Sequence, residues 1–191
     1  MDLTDGVVRL RPLRRRDAAA WDRLRRENEH WLSRWEATSP DPGARRPTFA
    51  QYVREQARAA RRGLGYSFGV EYEGALVGHL TISGVTWGSL RGAAIGYWIA
   101  ERWAGRGLIP RAVALATDYC FFSLKLHRVE INIRPENAPS LRVVEKLGFR
   151  DEGVRERYLH IDGVWCDHRS FALTSEEIGR GLTARLAAKR Q

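Results

Sequence analysis

The hydrophobic patterning of this 191-residue chain predicts a mixed α/β fold. Three observations carry that prediction. Two pairs of strand-like runs are each joined by a two-residue turn ending in glycine, Glu73-Gly74 and Asp162-Gly163, which is hairpin chemistry. Two stretches with helical spacing, 109–123 and 139–147, bracket an apolar alternation at 128–133. The opening residues read as one short strand followed by two helices, so the elements run β, α, α, several strands, then α, β, α, β, β.

Taken in order, residues 7–11 alternate apolar and charged and stop at Pro12. Asp17, after Arg14–Arg16, is placed to cap a helix running to about Glu29, with Trp21 and Leu24 three apart on its apolar face. Residues 31–47 hold Pro40, Pro42, Gly43 and Pro47 and predict an irregular segment. Thr48 caps the second helix with Gln51 as its capping-box partner, and that helix ends near Gly63. The first hairpin covers 67–72 and 75–82, and a further strand covers 91–100. A long helix over 109–123, the strand 128–133 and a helix over 139–147 stopped by Gly148 come next. The second hairpin covers 154–161 and 164–173, and from 175 the chain becomes a terminal helix or basic tail. No repeat or low-complexity linker divides residues 1–191, which implies a single domain.

Composition narrows the function classes. The chain is 43% hydrophobic and 29% charged, an ordinary soluble balance, and no stretch is apolar for the roughly 18 residues of a membrane span. The opening Met-Asp-Leu-Thr-Asp lacks the basic and apolar regions of a secretory leader. Cys120 and Cys166 show neither CxxC nor metal spacing, which points to buried thiols in a reducing cytoplasm. His30, His79, His127, His160 and His168 have no metal-ligand spacing either, so no metal is expected. The net charge of +9 is carried by arginine, since only Lys125, Lys146 and Lys189 are lysine. Such an excess draws polyanions, a ribosome or an anionic cofactor among them, or reflects a compositional bias towards arginine; both readings stand.

The strongest local feature is the turn Arg102-Trp103-Ala104-Gly105-Arg106-Gly107, entered from a strand ending in Trp98-Ile99-Ala100 and leaving into a helix at Leu108-Ile109. Glycines let backbone approach a ligand closely, and the first helical N–H groups have no intrahelical acceptor. With the helix dipole, this makes an anion pocket suited to a pyrophosphate, to which Arg102 and Arg106 add charge-assisted bonds. The loop is neither a Walker A loop nor a GxGxxG fingerprint, because no Gly-Lys-Ser/Thr follows and Pro110 stands where the third glycine belongs. A tight turn packing helix on sheet remains the alternative.

Residues 102–107 resemble the (Arg/Gln)-x-x-Gly-x-(Gly/Ala) pyrophosphate loop of the GNAT superfamily of N-acetyltransferases. Asn137-Ala138-Pro139-Ser140 leading into Val144-Glu145-Lys146-Leu147-Gly148-Phe149 resembles that superfamily's segment across the cofactor. Val8–Leu13 with Asp17 resembles its opening strand and helix. Glu152-Gly153 with residues 158–168 resembles the ribosomal-protein alanine acetyltransferase branch, RimJ/RimL.

The resemblance implies a central, mostly antiparallel sheet splayed between the strands ending at Ala100 and Ile133, flanked by helices. It implies acetyl-CoA as donor, its pantetheine pairing with the backbone of Trp98, Ile99 and Ala100. The amides of Gly105, Arg106, Gly107, Leu108 and Ile109 would hold the pyrophosphate, and Asn137 would bond the pantetheine. Ser140 would be the acid at the leaving thiolate, because Val144 stands where many members carry an acid tyrosine and Asn132 where they often carry a glutamate. Either the Ile99 or the Ala100 amide would meet the developing oxyanion. The base is left among Glu36, Glu101, Asp167 and His168, with Glu36 carried as catalytic.

Trp31, Trp35 and Glu36 fall where the family places its acceptor groove, joined there by Tyr158 and His168; packing of the loop over the sheet is the other reading. The implied reaction is acetyl transfer to the N-terminal amine of a protein, a ribosomal protein being the natural candidate. A small amine acceptor (aminoglycoside, polyamine or aminoacyl nucleotide) and a non-catalytic basic binding module are the alternatives. Ribosome association is compatible with the charge; base-specific nucleic-acid readout and a membrane partner are not expected.

Overall fold

The computed structural model describes residues 1–41, 43–44 and 46–188; Pro42, Arg45 and the last three residues of the basic tail lie outside the described residues. The strands are β1 (Leu3–Thr4), β2 (Val8–Pro12), β3 (Tyr66–Tyr72), β4 (Ala75–Thr86), β5 (Gly92–Ile99), β6 (Arg128–Ile133), β7 (Arg150–Ile161) and β8 (Val164–Thr174). The α-helices are α1 (Ala18–Glu27), α2 (Glu29–Leu32), α3 (Phe49–Arg61), α4 (Leu108–Asp118), α5 (Ala138–Leu147) and α6 (Leu182–Ala188). The eight strands form one open sheet in the order β1-β2-β3-β4-β5-β6-β8-β7.

Every pairing is antiparallel except β5 with β6, and a parallel neighbour needs a crossover, which α4 supplies. That pair is short. It joins Gly92 to Arg128, Ala93 to Val129 and Ala94 to Glu130, after which β5 runs on to Ile99 and β6 to Ile133 without meeting. The sheet therefore splays at its middle, and apolar clusters close both of its faces. Ile95, Val129, Ile131, Phe171 and Leu173 pack with Ala112, Val113, Val144 and Leu147 of α4 and α5. On the other face Leu13, Leu24, Leu76 and Ala100 pack with Trp21, Phe49, Tyr52 and Trp98.

Thr48 caps α3 through the Gln51 amide, with the reciprocal side-chain bond in place, and Gly148 closes α5 at φ 77°. Other elements differ from the sequence reading. Asp17 does not cap α1. Its carboxylate turns back to the Arg14 amide at 2.7 Å and grips the Arg11 guanidinium at 2.8 and 3.0 Å, because a buried cation on β2 must be neutralised. Helix α1 stops at Glu27 because Asn28 folds back on it, its Nδ2 donating to the Leu24 carbonyl at 2.9 Å. The segment read as irregular contains α2 and a 3-10 turn, Ser33–Trp35. The stretch read as one long helix changes after Asp118 into a π-helical turn, Tyr119–Ser123, and the Asp118 carboxylate caps α6 through the Leu182 amide at 2.7 Å. Strand β1 has two residues, too few for a periodicity to register.

Candidate active site

The splay is lined by backbone on its β5 side. The Ala100 amide donates to Val77 at 2.9 Å, and Trp98 pairs with His79, so the even-numbered residues of β5 spend their hydrogen bonds on β4. Alternate residues of an antiparallel ladder turn their N–H and C=O groups to opposite sides. Tyr97 and Ile99 therefore face the splay, and Trp98 and Ala100 do not. This corrects the expected pairing along 98–100: only Ile99 of the three presents backbone there, and of the two oxyanion donors considered, the Ala100 amide is already spent. The Ile99 carbonyl accepts the indole N–H of Trp31 at 3.1 Å.

At the end of β5 the chain makes a 3-10 turn, Glu101–Trp103, and passes through Gly105 and Gly107, both at φ 75°. Gly107 is the N-cap of α4 and has no side chain to satisfy the helix's first amides. Among the described residues the amides of Gly105, Arg106, Gly107, Leu108 and Ile109 meet no protein acceptor, and Pro110 has no amide to offer. Five donors at a helix N-terminus fit a diphosphate. There is room for it, since a Cβ built on Gly105 would have no other atom within 4 Å. The Arg102 and Arg106 guanidinium groups lie 5.6 and 4.7 Å from the Trp103 ring centroid, and the Trp103 Nε1 is buried without a partner among the described residues.

Across the splay Asn137 caps α5, its Oδ1 accepting the Ser140 amide at 3.2 Å. That bond fixes Ser140 and leaves the Asn137 Nδ2 without a partner among the described residues. The Ser140 Oγ lies 2.7 Å from the hydroxyl of Tyr97, a residue the sequence pattern does not single out. Burial pushes the Tyr97 phenol well above its usual range, more than the Ser140 bond offsets.

A roof crosses the mouth of the splay. Besides the Trp31 bond to the end of β5, Arg134 just beyond β6 donates to the Arg34 carbonyl at 3.0 Å and lies 5.6 Å from the Trp35 ring. The Thr38 amide reaches the His160 carbonyl of β7 at 2.8 Å. Residues 31–38 thus tie together three strand ends that the sheet itself leaves apart. Glu36 is held bidentately by Arg25 and approached by Arg46 at 3.7 Å. Both its oxygens being engaged, the geometry makes Glu36 an anchor of the roof and speaks against the expected role as base.

The other candidates divide by what they already hold. Glu101 pairs with His30 at 2.9 Å on the exposed rim, and Asp167 accepts the Arg157 amide at 2.7 Å. Tyr158 accepts from Arg155 at 3.1 Å, and its ring lies edge-on to His168 at 5.7 Å. His168 is 3% exposed and its Nδ1 lies 3.0 Å from the Cys166 carbonyl. A carbonyl only accepts, so Nδ1 carries the proton and Nε2 keeps its lone pair, with no hydrogen-bond partner among the described residues. Desolvation lowers the His168 pKa, which keeps the ring neutral. One residue further along the same face, Ser170 donates to Asn132 at 2.7 Å. Cys120 and Cys166 are both buried, and burial pushes the Cys120 thiol up to about 12. No group of three or more His, Cys, Asp or Glu among the described residues is arranged to hold a metal ion.

A family model described as the acetyltransferase (GNAT) domain matches residues 8–150. The chain belongs to the GNAT acetyltransferase family. This acetyltransferase is 31% identical over 177 residues to "Probable N-acetyltransferase YjcK" of Bacillus subtilis, covering 92% of this chain and 98% of that one. It is 31% identical over 176 residues to the ribosomal protein uS5-alanine N-acetyltransferase of Escherichia coli, covering 91% and 90%. Among solved structures it resembles Mycobacterium smegmatis RimJ in complex with CoA-disulfide, with a TM-score of 0.91 and 41% identity over 99% of this chain and 93% of that one. The splayed sheet of this GNAT N-acetyltransferase is thus the family's sheet. No α-helix among its described residues is long and apolar enough to cross a membrane.

Proposed function

We propose that this acetyltransferase moves the acetyl group of acetyl-CoA directly to the N-terminal amine of a protein, with a ribosomal protein as acceptor. The observation that carries the donor half is the row of five unpaired amides, 105–109, opening on the splay. The acceptor half is supported by the likeness to the uS5-alanine enzyme along nine-tenths of the chain, and by a roofed mouth carrying Trp31 and Trp35.

Acetyl-CoA supplies an acetyl group activated as a thioester. The chain's own groups divide the rest of the work. The amides of the glycine turn, with Arg102 and Arg106, hold the diphosphate. The Nδ2 of Asn137 donates to the pantetheine arm. The Ile99 amide, turned into the splay, offers a donor to the carbonyl oxygen. Ser140 donates to the sulfur. His168, neutral and with Nε2 open, takes the proton that the attacking nitrogen must lose. A carbon–nitrogen bond forms, the carbon–sulfur bond breaks, one proton leaves nitrogen and one arrives on sulfur.

Exposed Arg54, Arg58, Arg61 and Arg62 run along α3, and exposed Arg14–Arg16 lie on the turn that packs against it. This face attracts the ribosome by long-range fields, in the cytoplasm. The discriminating experiment is a peptide screen: the reading expects acetylation of N-terminal peptides, and turnover of polyamines or aminoglycosides alone refutes it.

A further inference from the structure

The Tyr97–Ser140 contact has an internal logic that the proposed reaction has not yet used. Tyr97 is partly buried against the cluster beneath α4 and α5, and Ser140 is its one hydrogen-bond partner among the described residues. Ser140 is fixed by backbone: its amide is held by Asn137 Oδ1 at 3.2 Å and the Asn137 carbonyl at 3.0 Å. Two hydroxyls 2.7 Å apart share one hydrogen bond, and either could in principle be its donor. If Ser140 donated, the Tyr97 proton would be left in a desolvated place with no acceptor, the costly arrangement. The bond is therefore satisfied when Tyr97 donates. Ser140 then accepts on one lone pair, and its own proton is free to turn into the splay.

We propose that Tyr97 is a positioning residue for acetyl transfer: by donating to Ser140 Oγ it aims the Ser140 O–H at the sulfur that takes up charge as the thioester breaks. The inference rests on the reading of the splay as the acyl-CoA site. The Tyr97 hydroxyl keeps its proton throughout and touches neither reactant. Its hydroxyl organises a donor, and the loss on its removal is confined to the step in which sulfur becomes an anion.

The test uses the full chain as wild type, Tyr97→Phe, Ser140→Ala and the double variant. Turnover is measured with acetyl-CoA and a synthetic peptide beginning with alanine. The pH at which bound coenzyme A forms its thiolate is followed by absorbance, the acetyl-CoA complex of each variant serving as its thiol-free blank. Tyr97→Phe is expected to lower kcat about 10- to 100-fold with acetyl-CoA affinity within about twofold of wild type. The double variant is expected to be no slower than Ser140→Ala, because the two groups act as one. The bound thiol is expected to ionise at higher pH in both single variants than in wild type.

A Tyr97→Phe protein with wild-type kcat and wild-type thiol titration overturns the proposal, as does a kcat loss matched by an equal loss of acetyl-CoA affinity. If Tyr97→Phe does not fold, the titration of Ser140→Ala decides alone, and an unchanged thiol there overturns the proposal. Failure of the wild-type chain to bind either nucleotide would instead remove the acyl-CoA reading itself.

Discussion

Replacing Gly105 by alanine separates the glycine turn as a ligand cradle from the glycine turn as a bend. Gly105 sits at φ 75°, where an L-residue pays about 1–2 kcal/mol. The new methyl meets no other atom within 4 Å, so no packing strain adds to that. For a domain of this size about 1 kcal/mol lowers Tm by roughly 2–4 °C, so the free variant should melt about 2–8 °C below wild type. Acetyl-CoA at about one hundred times its Kd should stabilise the wild-type chain by about 2.7 kcal/mol. If the methyl projects into the space in front of the five amides and costs tenfold in affinity, about half of that stabilisation disappears at the same concentration. The assay is a melt of both proteins with and without acetyl-CoA. A variant with a lower free Tm but the full wild-type rise on adding acetyl-CoA would refute the cradle and leave Gly105 a turn residue.

Two further predictions concern the frame that holds the site. Asp17→Asn should cost about 3–5 kcal/mol in urea denaturation, since it leaves Arg11, 9% exposed, with half its counter-charge. Burial raises the Asp17 pKa, but hydrogen bonds from Arg11 and the Arg14 amide outweigh it and leave the folded value below the ordinary one. Its stabilising contribution is therefore present above about pH 4 and lost as pH falls through the folded pKa, so the acid limb of a stability–pH curve should be shallower in Asp17→Asn. Gly78→Ala should destabilise by about 1–3 kcal/mol, because its Cβ would stand 2.4 Å from the Trp98 carbonyl oxygen in the β4–β5 ladder beside the splay. An unchanged urea midpoint for Gly78→Ala would contradict that close approach.

The parts of the fold legible in the sequence are those whose signals are local. Thr48 with Gln51, Gly148 after a helical stretch, and the glycine turns at 74 and 163 each encode their geometry within a few residues. The glycine turn before α4 is readable for the same reason. What escaped is set by contacts that no local pattern specifies. Asp17 looks like a cap until Arg11, itself paired with Glu71, is brought beside it, and Glu36 looks like a free carboxylate until Arg25 folds over it. Tyr97 carries no mark in a strand rich in aromatics; only the crossover through α4 brings it to Ser140, 43 residues on. The open Nε2 of His168 depends on a tautomer fixed by a carbonyl two residues away, which a strand pattern does not specify.

The central claim is acetyl transfer from acetyl-CoA to a protein's N-terminal amine. The most direct measurement incubates the chain with acetyl-CoA and a panel of N-terminal peptides, alanine-initiated ribosomal sequences among them, and locates the added mass by fragmentation. The account predicts one acetyl group on the α-amine, formed with stoichiometric release of coenzyme A. Acetyl groups only on lysine side chains or only on small amines, or no transfer while acetyl-CoA is bound, would contradict it.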